Sequence, residues 1–286
     1  MVTRLLLVLA LAARAETVTE APFAGVTHVH HMEVGSRNAD AHVVVIDLAQ
    51  PGLRFHVSPP GGTRETIRQT TLEFLREEHA QVAINAHFFV PYPSEERDVF
   101  LVGLAASDGN VFSDFETPAQ SYALLANAAG LNIDAANRAR IVKQGDVGEL
   151  FNAVSGSAQI VTAGVKTIPV YGDAGLTPGG PNNYSNADSW YERVNARTVI
   201  GLTRDARRLI LLVVDRATVG EAAEFLIANY AVWDALNLDG GGSTSLAMED
   251  PETHIARLLN APPEGAQGRS VGSSLVVFAP ANARLN

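Results

Sequence analysis

Hydrophobic residues in this chain fall mostly in short runs, separated by Gly, Pro, Asn or Asp. Short runs rich in Val, Ile and Leu are typical of buried strands. Residues 41–48 predict the clearest strand, and residues 53–58 are expected to pair with it as a hairpin after the Gln50-Pro51-Gly52 turn. The same pattern predicts further strands at residues 82–85, 101–106, 121–127, 141–143, 196–203, 208–214, 232–238 and 270–278, and a glycine-marked turn into a strand at residues 154–164.

Apolar positions spaced by three and four predict helices at residues 66–79 and 219–230, and a short helix at 146–154. Strands joined mostly by hairpins favour an α+β fold. We therefore expect a single domain with mixed, mostly antiparallel sheets and two or three packed helices. Residues 177–190 have no periodicity and predict a long loop, either a functional lid or a mobile surface segment.

The composition excludes several function classes. The 286 residues carry a net charge of −10, with no cluster of Lys and Arg, so a nucleic-acid partner is not expected. There are no cysteines, which excludes disulfides, zinc–thiolate sites and cysteine nucleophiles.

The first fifteen residues predict a signal peptide. Arg4 precedes an apolar run at residues 5–12, and Ala13-Arg14-Ala15 fits the small-residue cleavage pattern. The mature chain would then be residues 16–286, secreted or periplasmic. No later run is long enough to predict a membrane span.

The most unusual stretch is residues 237–246. An apolar run leads into Asp239, three glycines at residues 240–242, and the hydroxyl residues Ser243 and Thr244. An Asp-Gly step between apolar runs predicts a hairpin turn. Consecutive glycines also let backbone N–H groups form an anion-binding concavity, so a ligand site is the alternative.

Two other places carry polar residues in apolar surroundings. His28 and His30 would share one face of a strand, which fits either a metal site or a solvated face. Asn85 and His87 follow the buried strand at residues 82–85, and Arg197 opens another apolar strand.

Four blocks carry a family resemblance, in the order in which that family has them. They are residues 83–89, 154–164, 197–201 and 235–244, with weaker agreement at Asn260 and residues 269–271. In these blocks the chain resembles the phosphodiester glycosidase family, from about residue 41 to residue 279. Two departures are Ala86-His87 in place of a glycine pair and a short loop after Asp215.

The resemblance implies an enzyme that hydrolyses the bond between a sugar's anomeric carbon and a phosphodiester, which yields free sugar and a phosphomonoester. Phosphate is a better leaving group than a sugar alcohol. Neutralising its charge therefore matters more than protonating it.

The resemblance also implies the site residues. Asp239 would be nucleophile, base or ion-pair stabiliser, or only the cap of the turn. Arg197 would bind phosphate oxygens or pair with Asp239 or Asp215. His87 would be a general acid, a sugar contact or a structural residue. The expected substrate-binding residues are Asn85, Asn237, Gly240, Gly241, Gly242, Ser243 and Thr244.

The expected partner is a small molecule or glycan that carries a sugar phosphate. No cofactor is expected, although a divalent metal held by Asp239 or by the histidines is left open. The alternatives are a hydrolase of ordinary glycosides or envelope polysaccharide on the same scaffold, and a non-catalytic carbohydrate-binding protein. A second carboxylate beside Asp239 would favour the first alternative.

Overall fold

The computed structural model describes residues 17–115, 128–145, 148–168, 191–261 and 265–282. The first strands in chain order are β1 (Val18–Phe23), β2 (Val26–Val34), β3 (Arg37–Asp47), β4 (Arg54–Val57), β5 (Thr66–Ile67), β6 (Gln69–Thr70), β7 (Val82–Asn85), β8 (Phe89–Val90), β9 (Asp98–Leu101), β10 (Ala105–Ser107), β11 (Asn110–Ser113) and β12 (Gly130–Ile133). They continue as β13 (Ala139–Val142), β14 (Asn152–Ser155), β15 (Ala158–Thr162), β16 (Val165–Lys166), β17 (Asn195–Thr203), β18 (Arg208–Ala217), β19 (Val232–Asn237), β20 (Leu246–Glu249), β21 (Ala256–Leu258), β22 (Ser270–Val271) and β23 (Ser274–Phe278). The α-helices are α1 (Thr71–Glu78) and α2 (Val219–Tyr230).

Three sheets make up most of the fold. The eight-stranded sheet has the order β1-β2-β3-β18-β17-β19-β15-β16, the β7 sheet has β21-β20-β7-β23-β4, and the β12 sheet has β11-β10-β14-β12-β13. Every strand pair assigned among the described residues is antiparallel. The prediction of mostly antiparallel sheets is confirmed, and with only α1 and α2 in the described part the helical share of the α+β prediction is small.

The three sheets share one apolar core. It contains residues of the eight-stranded sheet such as Ile46 and Leu211, of the β7 sheet such as Ile84 and Leu275, and of the β12 sheet such as Leu131. On its other face, the eight-stranded sheet packs against α2 through a second cluster. The outer face of the β7 sheet packs against α1. The order of layers is therefore α2, eight-stranded sheet, β7 sheet and α1.

Both helices begin at a capping box. The Thr70 hydroxyl accepts a hydrogen bond from the Glu73 N–H, and the Glu73 carboxylate accepts one from the Thr70 N–H. Thr218 and Glu221 repeat the arrangement at α2. The helix predicted at residues 66–79 was predicted to begin too early. Residues 66–67 form β5, which pairs with β9, and residues 69–70 form β6, which pairs with β22. The helix predicted at residues 219–230 is confirmed.

Two local predictions are wrong because long-range pairing overrides them. Residues 53–58 do not form a hairpin with β3, since β4 pairs with β23, and the neighbours of β3 are β2 and β18. The described part of 146–154 contains no helix, because β14 pairs with β12 and β10 instead.

Two predicted strands are each split in the structure, and three further predictions fall outside the described residues. The strand predicted at residues 101–106 is interrupted between β9 and β10, where Gly103 has φ of +89°. The strand at 270–278 is likewise split into β22 and β23. Residues 121–127 and 177–190 lie outside the described residues, as does the predicted signal peptide at 1–15. The signal peptide and the single domain at 16–286 stay predictions. In the described part of the chain, no helix has the length and apolar character needed to cross a membrane.

The stretch at residues 237–246 is not a hairpin. The strand before the glycines, β19, belongs to the eight-stranded sheet, and the strand after them, β20, belongs to the β7 sheet. The glycine loop, which we define as residues 238–245, therefore carries the chain across the core from one sheet to the other. A short 3-10 turn at Gly241–Ser243 lies within it.

We expect Gly156→Ala to destabilise the fold, because a Cβ at this position would lie 2.0 Å from the Asn237 carbonyl oxygen. Overpacking of this kind costs about 1–3 kcal/mol or more, and here the obstacle is backbone. Urea unfolding of both proteins measures the loss. Gly61→Ala is the matched control, since its nearest atoms would lie at 3.5 Å, in ordinary contact. Equal stability of the two variants would contradict the prediction.

Candidate active site

The side chain of Asn85 joins three of the four sequence blocks. It is fully buried at the end of β7. Its Nδ2 donates to the Asp239 carbonyl oxygen at 2.7 Å, while its Oδ1 accepts from the Thr198 hydroxyl at 2.9 Å and from the Ser245 N–H at 3.0 Å. With these bonds Asn85 holds the glycine loop against β17. A role in sugar binding stays a prediction, and the observed bonds already occupy both polar ends of the amide.

The glycines let two backbones approach each other. A Cβ at Gly240 would lie 2.8 Å from the Ala196 carbonyl oxygen, and Gly241 has φ of +61°, a conformation that L-residues rarely adopt. The register of β17 with β19 pairs Val199 with Asn237, and the Leu238 N–H donates to the Thr198 carbonyl. The loop is therefore fixed against the first residues of β17, beside Arg197.

Asp239 is an almost fully buried acid. Burial raises the pKa of its carboxyl to about 7, against the opposing effects of a hydrogen bond with Ser243, the charge of Arg269 and the Gly240 N–H. Its own N–H donates to the Ala86 carbonyl at 2.9 Å. A carboxyl that titrates near neutral pH is suited to proton transfer, and such groups concentrate at functional sites.

Arg197 is buried on main-chain carbonyls. Its Nε donates to the Ala217 carbonyl at 3.0 Å and its Nη2 donates to the Arg193 carbonyl. Burial lowers the pKa of Arg197 to about 10, so it stays protonated at neutral pH. The sequence prediction of a phosphate-binding arginine stays open at Arg197, and these carbonyl bonds give it a role in holding β17 to the segments around it.

His87 lies fully inside the protein. Its Nδ1 is 2.6 Å from the Ser273 hydroxyl, and its Nε2 is 2.9 Å from the Leu104 carbonyl and 3.0 Å from the Ser155 nitrogen. Burial lowers the pKa of His87 to about 4, so the ring is neutral at physiological pH. A general-acid role stays a prediction, but these contacts favour the structural alternative.

Arg269 is the basic residue that sequence reasoning passed over as a site residue. It is half-buried, its Nη1 lies 3.4 Å from the Ser243 hydroxyl, and its guanidinium lies 4.8 Å from the centre of the Tyr92 ring. Its positive charge lowers the pKa of Asp239. The only sequence signal for it was the weak family agreement at residues 269–271.

Several buried polar atoms near the blocks have no hydrogen-bond partner among the described residues: Ser155 Oγ, Asn237 Oδ1, Thr244 Oγ1 and Ser245 Oγ. Buried polar atoms are normally paired, so such a group is unusual. Asn237 also donates to the Ser157 hydroxyl at 2.9 Å. Asn237 Oδ1 and the Thr244 hydroxyl could thus bond a ligand or water, which agrees with the substrate-binding role predicted for both residues.

A cleft of about 380 Å³ lies elsewhere, lined by Thr63, Arg64, Ile67, Glu96, Arg97 and Asp98. None of these residues belongs to the four blocks. We place the candidate site at the glycine loop, because a buried acid of raised pKa beside an arginine is more specific to catalysis than an open charged cleft.

A buried acid of raised pKa beside an arginine is typical of a catalytic site. The sequence model of the phosphodiester glycosidase family matches residues 78–278, well over half of the chain. The chain belongs to the phosphodiester glycosidase family. No curated protein matches the sequence.

Solved structures share the fold at low sequence identity. A hypothetical protein from Synechocystis has a TM-score of 0.68 and 15% identity over 94% of this chain, which spans only 64% of that protein. The zebrafish N-acetylglucosamine-1-phosphodiester alpha-N-acetylglucosaminidase catalytic domain, auto-inhibited by its pro-peptide, has a TM-score of 0.63 and 17% identity, with 93% of this chain and 88% of that chain covered. A Burkholderia pseudomallei protein described as exported has a TM-score of 0.56 and 13% identity, with coverages of 88% and 77%.

We expect Asn85→Ala to lower the free energy of unfolding by about 3 kcal/mol or more, since each buried group left unpaired costs about 1–3 kcal/mol. The groups left unpaired are the Asp239 carbonyl, the Thr198 hydroxyl and the Ser245 N–H. Urea unfolding measures the change. Asn110→Ala, at an exposed position of β11, is the control and should change stability little. A loss below 1 kcal/mol at Asn85 would contradict the central role of this side chain.

The raised pKa of Asp239 predicts a pH-dependent stability. Because its pKa is raised in the folded state, ionised Asp239 destabilises the fold. This destabilisation is absent below pH 3.8, the ordinary carboxyl pKa, and is complete above about pH 7. Asp239→Asn should therefore stabilise the protein relative to wild type at pH 8, by at most about 4 kcal/mol, and the gain should shrink as the pH falls from 7 to 4. Urea unfolding across this range tests it.

Asp205→Asn gives a control of opposite sign. A hydrogen bond from the Thr203 hydroxyl lowers the pKa of Asp205, so its contribution to stability should fade as the pH drops. A pH-independent difference between wild type and Asp239→Asn would show that Asp239 does not titrate near neutral pH.

Proposed function

We propose that this chain hydrolyses a sugar-1-phosphodiester between the anomeric carbon and the phosphate oxygen. The observation that carries the proposal is the buried acid Asp239, whose pKa of about 7 lies in the working range of a proton-transfer group, inside the glycine loop and within the influence of Arg269. Family membership over residues 78–278 supports the same reaction class.

The division of labour follows from burial and charge. Arg269, half-exposed at the edge of the loop, binds the phosphate oxygens and neutralises the charge that grows on the leaving group. The Ser243 hydroxyl is hydrogen-bonded to both Arg269 and Asp239, so it links the phosphate-binding group to the acid. Backbone N–H groups of the glycine loop supply further donors.

Ionised Asp239 takes a proton from water as the water oxygen bonds to the anomeric carbon. The bond from that carbon to the phosphate oxygen breaks, and its electron pair stays with the phosphate. The products are free sugar and a phosphomonoester, and Asp239 returns its proton to solvent. Direct attack by the carboxylate would give the same products through a covalent intermediate.

An ordinary glycosidase pairs two carboxyl groups across the bond that it cleaves. Among the described residues, the groups that shift the pKa of Asp239 are Ser243, Arg269 and Gly240, and none of them is a carboxylate. This favours a substrate with an acidic leaving group over an ordinary glycoside. A buried acid of raised pKa likewise favours an enzyme over a non-catalytic carbohydrate-binding protein.

We also propose that the protein acts outside the cytoplasm, in the periplasm or medium. The N-terminal residues 1–15 have the pattern of an export signal. A structural neighbour from Burkholderia is described as exported, which supports the same location.

We expect the purified chain to release free sugar from a sugar-1-phosphodiester, with an N-acetylglucosamine-1-phosphodiester as the first probe because the zebrafish relative is named for it. The kcat/KM should rise as the pH passes through about 7, since a base must be ionised. Asp239→Asn should lower kcat/KM by about 10² or more. Arg269→Ala should lower it by about 10² through lost phosphate contacts.

Arg204→Ala is the matched control, because Arg204 also lies over an aromatic ring, 4.6 Å from the centre of Trp233, and follows the far end of β17 from the glycine loop. It should keep full activity. A rate that falls as the pH passes through 7 would make Asp239 an acid rather than a base. Full activity in Asp239→Asn would overturn the site.

A further inference from the structure

A second cluster of titratable side chains lies away from the glycine loop, on the first three strands. We call it the histidine cluster: Glu20 on β1, His28 and His30 on β2, and Asp40 and His42 on β3. His30 and His42 are direct cross-strand partners, and Glu20 is opposite His28. Strand pairing therefore brings all five side chains to one face of the sheet. The mechanism proposed above uses none of them.

Hydrogen bonds fix the protons in this cluster. The Glu20 carboxylate lies 2.7 Å from His28 Nδ1, and a carboxylate only accepts, so His28 Nδ1 carries the hydrogen. In that tautomer His28 accepts at Nε2 from His42 Nδ1–H, at 2.9 Å. This tautomer assignment follows from the hydrogen-bond network. It leaves neutral His42 with a lone pair on Nε2.

That lone pair faces another acceptor. His42 Nε2 lies 3.4 Å from Asp40 Oδ1, and the same oxygen lies 2.6 Å from His30 Nε2. Two acceptors that face each other repel unless a proton or a metal cation lies between them. A metal-ligating histidine typically donates its other ring N–H to a further acceptor, as His42 does through His28 to Glu20.

The ligand geometry fits a small transition-metal ion. The ligand atoms of His30, Asp40 and His42 all lie within 4.8 Å of one another. Tetrahedral zinc with bonds near 2.0 Å places its ligand atoms about 3.3 Å apart, close to the 3.4 Å between His42 and Asp40. The His30 and His42 rings are stacked at 4.3 Å with planes 3° apart. The shorter His30–Asp40 contact would have to open on binding, and about a third of each of these two side chains is exposed to solvent.

We propose that His30, Asp40 and His42 bind a divalent zinc-class cation, with solvent at the fourth position and with His28 and Glu20 orienting His42. Two imidazoles and one carboxylate suit zinc and its first-row neighbours rather than magnesium or calcium, which prefer oxygen ligands. On binding, the His30 ring takes its other neutral tautomer, in which the hydrogen is on Nδ1 and the Nε2 lone pair binds the cation.

The cluster is separate from the candidate active site but lies on the same sheet. His42 is paired with Val213, and Val213 is paired with Thr198, the residue whose hydroxyl bonds Asn85. Two strand spacings separate His42 from Thr198, a distance of about 10 Å. Zinc binding can be measured without substrate, so this proposal is tested independently of the hydrolase activity.

The test is calorimetric titration of zinc chloride into the full chain, prepared without a polyhistidine tag and freed of metal with a chelator. We expect one site with Kd of about 1 µM or tighter. His30→Gln and Asp40→Asn should weaken binding by at least about 100-fold, and Glu20→Gln by about tenfold through loss of orientation. The two ligand variants lie at partly exposed positions, and their melting temperatures without metal should match wild type.

His31→Gln is the matched control. His31 is the next residue along β2, but it lies on the other face, where its Nε2 contacts the Tyr230 hydroxyl at 2.5 Å. Zinc binding should be unchanged in this variant. No one-to-one binding in wild type would overturn the proposal. Binding unaffected in both His30→Gln and Asp40→Asn, or lost equally in His31→Gln, would overturn it as well.

Discussion

The buried amide of Asn85 is the contact on which the candidate site depends. It bonds three residues that each lie more than a hundred positions away from it in the chain, namely Thr198, Asp239 and Ser245. No solvent reaches this side chain to replace a lost bond, so each of its partners would be left buried and unpaired without it. The position of Asp239 is thus fixed by packing at the end of β7 rather than by the glycine loop itself. A loop of three glycines has little conformational preference of its own, and it needs such a tie.

The glycines of the blocks serve the approach of one backbone to another. A Cβ at Gly156 would collide with the Asn237 carbonyl, and a Cβ at Gly240 would crowd the Ala196 carbonyl. Both contacts lie where β15, β17 and β19 meet the loop. For the glycines at residues 240–242, the sequence analysis offered a turn or the close approach of a ligand as the cause. The structure shows another cause, since Gly240 lies in the loop that crosses from the eight-stranded sheet to the β7 sheet and its backbone approaches that of Ala196.

The sequence predicted the elements whose causes lie within a few neighbouring residues, and it failed where an element depends on distant residues. Helix α2 was predicted with its bounds because its cap, its apolar face and its end all lie within a few residues. The partners of β4 and of the glycine loop were not, because β4 pairs with a strand more than 200 residues away and the loop joins two sheets. The blocks around Asn85, Arg197 and Asp239 could be found by family resemblance. Arg269 could not be assigned a role, since nothing in its neighbours indicates that it lies beside Ser243.

We propose different roles for the two arginines near the glycine loop, although the sequence analysis considered only Arg197 for phosphate binding. Arg197 donates to main-chain carbonyls in a buried setting, and burial already lowers its pKa. Moving its guanidinium to a substrate would leave those carbonyls unpaired, at about 1–3 kcal/mol each. Arg269 is half-exposed, and its contacts include the Tyr92 ring and the Ser243 hydroxyl. Under the proposed function, Arg269 would hold the substrate phosphate at the rim of the site, with the anomeric carbon toward the buried Asp239. That direction of approach is the one that hydrolysis of a sugar-1-phosphodiester requires.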